Sequence, residues 1–157
     1  MIAIASDHRG YKMKEEIKKY FEEHGIEYKD YGAFSEERMD YPEKAKAVAT
    51  AIQQGKADKG ILICGTGLGM SIAANKFKGI RCTVCYSEDV ARYAKKHNNS
   101  NILALGAEVN TISQVIEIIR VWLATEFEGE RHERRIEMIK EIENENLKWK
   151  ENEYTRV

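Results

Sequence analysis

Gly60-Ile61-Leu62-Ile63-Cys64-Gly65-Thr66-Gly67-Leu68-Gly69-Met70-Ser71-Ile72-Ala73-Ala74-Asn75-Lys76 opens on an apolar run and closes on a helical one. Ile61 to Ile63 has the length and branching of a buried strand, and the residues after Ser71 read as a helix. Between them every second residue is glycine. Such a loop lets the backbone approach a ligand closely, and the helix N-terminus behind it offers free N–H groups to an anion. A thiol, Cys64, stands at the lip.

The same strand-then-helix alternation extends in both directions. Ile2 to Ser6 reads as a buried strand, followed by the turn Asp7-His8-Arg9-Gly10. A helix starts at Tyr11 with Met13, Ile17, Tyr20 and Phe21 on one face and closes at His24-Gly25. Residues 27–31 form a weak second strand. The polar loop Ala33 to Met39 leads through Asp40-Tyr41-Pro42 into a helix over 43–54, whose first turn suits the only proline. Strand 60–64 and a helix over about 69–77 come next, then strand 80–86. Ser87 caps a helix with Glu88 and Asp89 in its first turn and Lys95-Lys96-His97 at its end. Strand 101–105 follows. Thr111 and Gln114 fit a capping box on a strongly apolar helix, 112–125. The last helix, from about Glu130 to Lys150, has sparse apolar residues: Ile136, Met138, Ile139 and Ile142. A helix of that kind often extends onto a partner subunit.

This alternation implies an α/β three-layer sandwich with a five-stranded parallel sheet. The expected strand order is the flavodoxin/Rossmann-like 2-1-3-4-5, with the ligand crevice outside the C-terminal ends of strands one and three. Those ends carry Asp7-His8 and Cys64-Gly65-Thr66. Residues 1–157 are read as a single domain, with about 130–150 as a C-terminal dimer-contact helix.

Composition narrows the function. Hydrophobic residues make up 43% of 157 and charged residues 32%, with a net charge of −1, so no global basic field points to nucleic acid. No run approaches the length of a membrane span, and Met1-Ile2-Ala3-Ile4-Ala5 lacks a basic leader, which implies a mature cytoplasmic chain. Cys82 and Cys85 are three apart on a strand and so face opposite ways, which argues against a redox or zinc pair. His8, His24, His97 and His132 show no metal-ligand spacing.

The glycine loop is no Walker A, because no Gly-Lys-Ser/Thr follows. It is a poor dinucleotide fingerprint, because its spacing is G-x-G-x-G after the third strand. A bare turn rarely needs three alternating glycines, so an oxyanion cradle for a small ligand is the better reading.

Ser6-Asp7-His8, Asp40-Tyr41-Pro42, the Cys64–Lys76 block, His97-Asn98 and Gly129-Glu130-Arg131-His132-Glu133-Arg134-Arg135 together resemble type B ribose-5-phosphate isomerase. That family also holds the galactose-6-phosphate isomerase subunits. The resemblance covers Met1 to about Ile142, and the Cys64–Lys76 block is its most specific part. It implies aldose–ketose isomerisation of a sugar phosphate through a cis-enediolate, without metal or cofactor, in homodimers or dimers of dimers.

By resemblance Cys64 is the base, which the physics allows, since a thiol at a helix N-terminus ionises more readily. His97 is the ring-opening acid and Asn98 binds beside it. Asp7 contacts the sugar and assists ring opening, Thr66 helps hold the thiolate or a hydroxyl, and Tyr41 lines the pocket. Backbone N–H groups of Gly65, Thr66, Gly67, Leu68, Gly69, Met70 and Ser71 form the anion hole. His8, Arg131 and Arg135 grip the phosphate, the two arginines sharing a helical face. Many relatives carry arginine where this chain has Glu108, which leaves the exact sugar open. Ribose 5-phosphate is expected, with allose 6-phosphate or galactose 6-phosphate as alternatives. A non-catalytic phosphate-binding module and a flavin or NAD oxidoreductase are the competing classes. His97 ends the helix that leads into strand five, at the edge opposite Cys64. A shared site between two chains is therefore expected.

Overall fold

The computed structural model describes residues 1–146. The chain divides into two compact units, Met1–Phe127 and a second beginning at Glu128. In the first unit the order is β1 (Ile2–Ser6), α1 (Tyr11–Glu23), β2 (Tyr28–Asp30), α2 (Tyr41–Gln53), β3 (Lys59–Cys64), α3 (Leu68–Ala74), β4 (Cys82–Val84), α4 (Glu88–Lys96), β5 (Ile102–Gly106) and α5 (Ile112–Ala124). The second unit holds α6 (Arg131–Asn146). The expected stretch of that helix from 147 to 150 lies outside the described residues.

All strand pairs are parallel, and the sheet order is β2-β1-β3-β5-β4. The α/β class and the five parallel strands are as expected, but the last two strands are exchanged. β4 is three residues long and half-exposed at Thr83 and Val84, whereas all five residues of β5 are buried. A short, partly polar strand suits an edge and a continuous apolar one suits the interior.

Right-handed crossovers then assign the helices to faces. The chain steps one way from β1 to β2 and from β4 to β5, and the other way from β2 to β3 and from β3 to β4. α1 and α4 therefore share one face, where both pack on α5, while α2 packs on α3 across the sheet. The pleat divides each strand between two cores. Ile2, Ile4, Ile61, Ile63, Leu103 and Leu105 join Phe21, Ile119 and Trp122 on the α5 face. Ala3, Ala5, Leu62, Cys64, Ile102 and Ala104 join Ala45, Val48, Ala49 and Met70 on the other. Cys82 and Cys85 fall in opposite cores, as their spacing requires. Burial pushes both thiols up, Cys85 to about 11 and Cys82 higher still.

Helix ends follow the chemistry of their sequence. Ser87 Oγ accepts from Val90 N, and Thr111 with Gln114 closes the expected capping box. Gly25, with φ of 64°, ends α1. Among the described residues no helix is long and apolar enough to cross a membrane.

Lys14 on α1 is fully buried and pairs with Asp30 at the end of β2, which Lys18 also reaches at 2.9 Å. Burial alone pushes the Asp30 carboxyl up, but donors from Lys14, Lys18 and the Gly32 N–H outweigh it and hold it below its ordinary value. The unfolded chain therefore binds this proton first. The pair stabilises the fold above a pH of about 4 and loses that contribution as pH falls through the lower folded value. Asp30→Ala strands a buried ammonium. It should lower stability by about 3 kcal/mol at neutral pH, the lower end of the range for broken buried pairs because Glu15 remains 3.3 Å away. Urea unfolding should show this deficit shrinking below a pH of about 4.

Candidate active site

The loop after β3 is shaped by what crosses it. Gly67 turns the chain with φ of 81°, and a Cβ there would lie 3.1 Å from the backbone of Leu105 on β5. Only glycine meets both demands. The turn aims the Gly67 N–H at Cys64 Sγ, 3.0 Å away. The Leu68 N–H is taken by Thr66 Oγ1 at 3.3 Å, and Ser71 Oγ donates to Leu68 O. The Ser71 N–H donates to Gly67 O at 3.1 Å, so three of the N–H groups expected to face a ligand, those of Gly67, Leu68 and Ser71, serve the loop and its helix instead. Gly69 makes room for Tyr41, whose ring would stand 2.6 Å from any Cβ there.

β1 delivers its turn alongside. Asp7 is buried, its N–H donates to Ile63 O at 3.1 Å, and its Oδ1 accepts from Gly10 N at 3.0 Å. His8 Nδ1 accepts from Met39 N, which assigns the ring proton to Nε2. Asp7, His8, Tyr41, Cys64, Gly65, Thr66, Gly67, Leu68, Gly69 and Ser71 are therefore gathered at the C-terminal edge of the sheet.

The exchange of β4 and β5 brings in Ala107 and Tyr86, which sequence reasoning missed, and Glu108, which it singled out only as a departure from relatives. With β5 beside β3, Ala107 N donates to Cys64 O and Glu108 N to Gly65 O, both at 2.9 Å. The Glu108 carboxylate rests over Gly65 and lies 3.3 Å from Arg9 Nε. Tyr86, two residues after β4, donates its hydroxyl to Thr66 O at 2.6 Å. Each follows the end of a strand, which is the signal that could have found it.

His97 and Asn98 are not at this edge. His97 caps the C-terminus of α4, its N–H bonds Tyr93 O and its ring stacks on Tyr93 at 5.0 Å. The chain then enters β5 at Ile102, which pairs with Gly60, four positions before Cys64. At about 3.3 Å per residue the two edges are roughly 13 Å apart. Arg131 and Arg135 lie one turn apart on α6, both exposed.

A family model described as Ribose/Galactose Isomerase matches residues 2–139. The chain belongs to that family. Ribose-5-phosphate isomerase B of Escherichia coli is 46% identical over 142 residues, 90% of this chain and 95% of that protein. The Clostridium thermocellum ribose-5-phosphate isomerase B structure superposes with a TM-score of 0.91 at 46% identity, covering 92% and 98% of the two chains. The Mycoplasma genitalium ribose-5-phosphate isomerase B, solved with bound ribulose-5-phosphate, gives 0.88 at 40% identity, covering 92% and 96%. This chain is an isomerase of the same fold.

In the isomerase, Gly67→Ala forces a side chain into a left-handed position against Leu105. The substitution should cost about 1–2 kcal/mol from the backbone alone. It should also lower kcat, because the N–H on Cys64 Sγ swings away. Denaturant titration and steady-state kinetics on the purified variant check both.

Proposed function

We propose that this isomerase interconverts ribose 5-phosphate and ribulose 5-phosphate through a cis-enediolate. Moving the carbonyl from C1 to C2 takes a proton off C2 and returns one to C1. The sulfur of Cys64 is the base that carries it, and the observation that supports this most is the Gly67 N–H directed onto that sulfur at the ligand edge of the sheet. The remaining loop donors, with Thr66, stabilise the enediolate oxygens. His97 protonates the ring oxygen while Asp7 assists opening, with Asn98 alongside. His8, Arg131 and Arg135 hold the phosphate, and Tyr41 lines the sugar pocket. Cys64→Ala should fold normally and bind substrate, yet lose about 10²–10⁴-fold in kcat. Full activity in that variant would remove Cys64 from the role. Activity should survive exhaustive EDTA treatment.

The family description spans ribose and galactose, so a six-carbon sugar phosphate, allose 6-phosphate or galactose 6-phosphate, is the second reading. A coupled assay across five- and six-carbon aldose phosphates decides between them. No turnover of any of them would leave a phosphate-binding module.

The geometry of one chain supports a homodimer with shared sites. An imidazole cannot span the roughly 13 Å between the sheet edges, so the His97 that serves Cys64 comes from a neighbouring subunit. Exposed Leu68 and Ile72 on α3, with Tyr41 over Gly69, Tyr86 bonded to Thr66 O and Val109 against Gly106, form an apolar surround that supports a partner there. Exposed Met138, Ile139 and Ile142 support the same for α6. Cys64→Ala and His97→Ala subunits, unfolded and refolded together, should form mixed dimers with one intact site and up to half the activity of a native dimer. No recovery despite subunit mixing would return His97 to its own chain.

A further inference from the structure

We propose that Arg9 is a phosphate-binding residue of this site, held in place by Glu108. The proposal rests on the sugar-phosphate reading above. Nothing in that reading uses Arg9, and Glu108 stands in it only as an unexplained carboxylate beside an anion site. The two side chains meet over the catalytic loop: a Cβ on Gly65 would lie 3.1 Å from Glu108 Oε2 and 3.3 Å from Arg9 Cδ. Glu108 is fixed there by its own backbone, since its N–H donates to Gly65 O. Its Oε1 lies 3.3 Å from Arg9 Nε. Arg9 Nε faces the carboxylate, and among the described residues neither terminal Nη group has an acceptor. Those two nitrogens form the planar fork that matches two phosphate oxygens.

Charge and exposure favour this use. Both side chains are more than half exposed, at 59% and 53%, so the pair adds little to stability. Alone, Glu108 would repel a dianion from the loop. With Arg9 across it, the local charge is cancelled and a donor fork is presented next to His8, its neighbour in sequence. The guanidinium thus comes from the turn after β1, in the chain that also supplies Cys64. It adds to Arg131 and Arg135 rather than replacing them.

Two measurements on the full-length protein test this: binding of inorganic phosphate by calorimetry, and KM and kcat for ribose 5-phosphate. Arg9→Ala should weaken phosphate binding and raise KM by roughly tenfold or more each, the loss expected for a charge-assisted contact. Its kcat and melting temperature should stay near native. Arg120→Ala removes an exposed arginine paired with Glu117 on α5 and should change neither constant. Arg9→Glu should abolish phosphate binding, and adding Glu108→Arg should restore much of it by returning a guanidinium to the same place. If Arg9→Ala leaves phosphate affinity and KM unchanged while Arg131→Ala lowers the affinity and raises KM, Arg9 has no such role and the isomerase reading stands. If Arg9→Ala changes only the melting temperature, the pair is structural and the proposal fails. If the native protein neither binds phosphate nor turns over sugar phosphates, the reading of the site fails and Arg9 with it.

Discussion

The N–H of Gly67 reaches the sulfur of Cys64 because the chain turns there through a positive φ, close against the backbone of Leu105. That approach exists only because β5 runs beside β3. The buried strand closes the floor under the loop, and its own exit, Ala107 to Glu108, is bonded to the loop's first two carbonyls. The neighbouring turn after β1 is bonded in the same way, through Asp7 N and Ile63 O. Three strand ends thus lock one another through main-chain bonds, and the side chains above inherit fixed positions.

The two sides of the sheet contribute differently. On the α5 side the strands present Ile and Leu to Phe21, Ile119 and Trp122, and a large apolar volume is buried. On the α2–α3 side the strands present Ala3, Ala5 and Ala104 to the small residues Ala45 and Ala49. Small residues facing each other let helices lie close to a sheet. That proximity brings the start of α2 over the start of α3, where Tyr41 covers Gly69. One face supplies bulk burial and the other supplies reach.

Much of this was legible in the chain. The Cys64–Ser71 pattern located the loop at the C-terminal edge of β3, and the apolar runs 2–6 and 101–105 located buried strands. The capping residues Ser87 and Thr111 located two helix starts. The order of β4 and β5 was not read correctly, although a signal existed: Arg81 and Thr83 interrupt the run around β4, while Ile102 to Gly106 is continuous. Local patterns fix which residues are buried, but neighbour relations between strands depend on crossovers that skip a position. The consequence fell on Glu108, which stands beside Gly65 only in the true order. The Arg9–Glu108 pair links residues 99 positions apart, and no local pattern announces such a meeting.

Three buried cysteines separate by environment rather than by burial itself. Cys82 and Cys85 lie within opposite cores, and desolvation pushes their thiols up, so both stay protonated and pack as small apolar groups. Cys85 even acts as a weak donor toward Thr83. Cys64 ends its strand where the core stops. Among the described residues it is the one cysteine whose sulfur receives a backbone N–H. A thiol serving as a proton carrier needs a donor that can follow its charge, and a main-chain N–H held by a glycine turn supplies one without adding a second titrating group. Under the role proposed for Cys64, the same requirement favours glycine over a charged side chain beside the sulfur. A lysine or histidine there would compete for the proton, whereas a peptide dipole only favours where it goes.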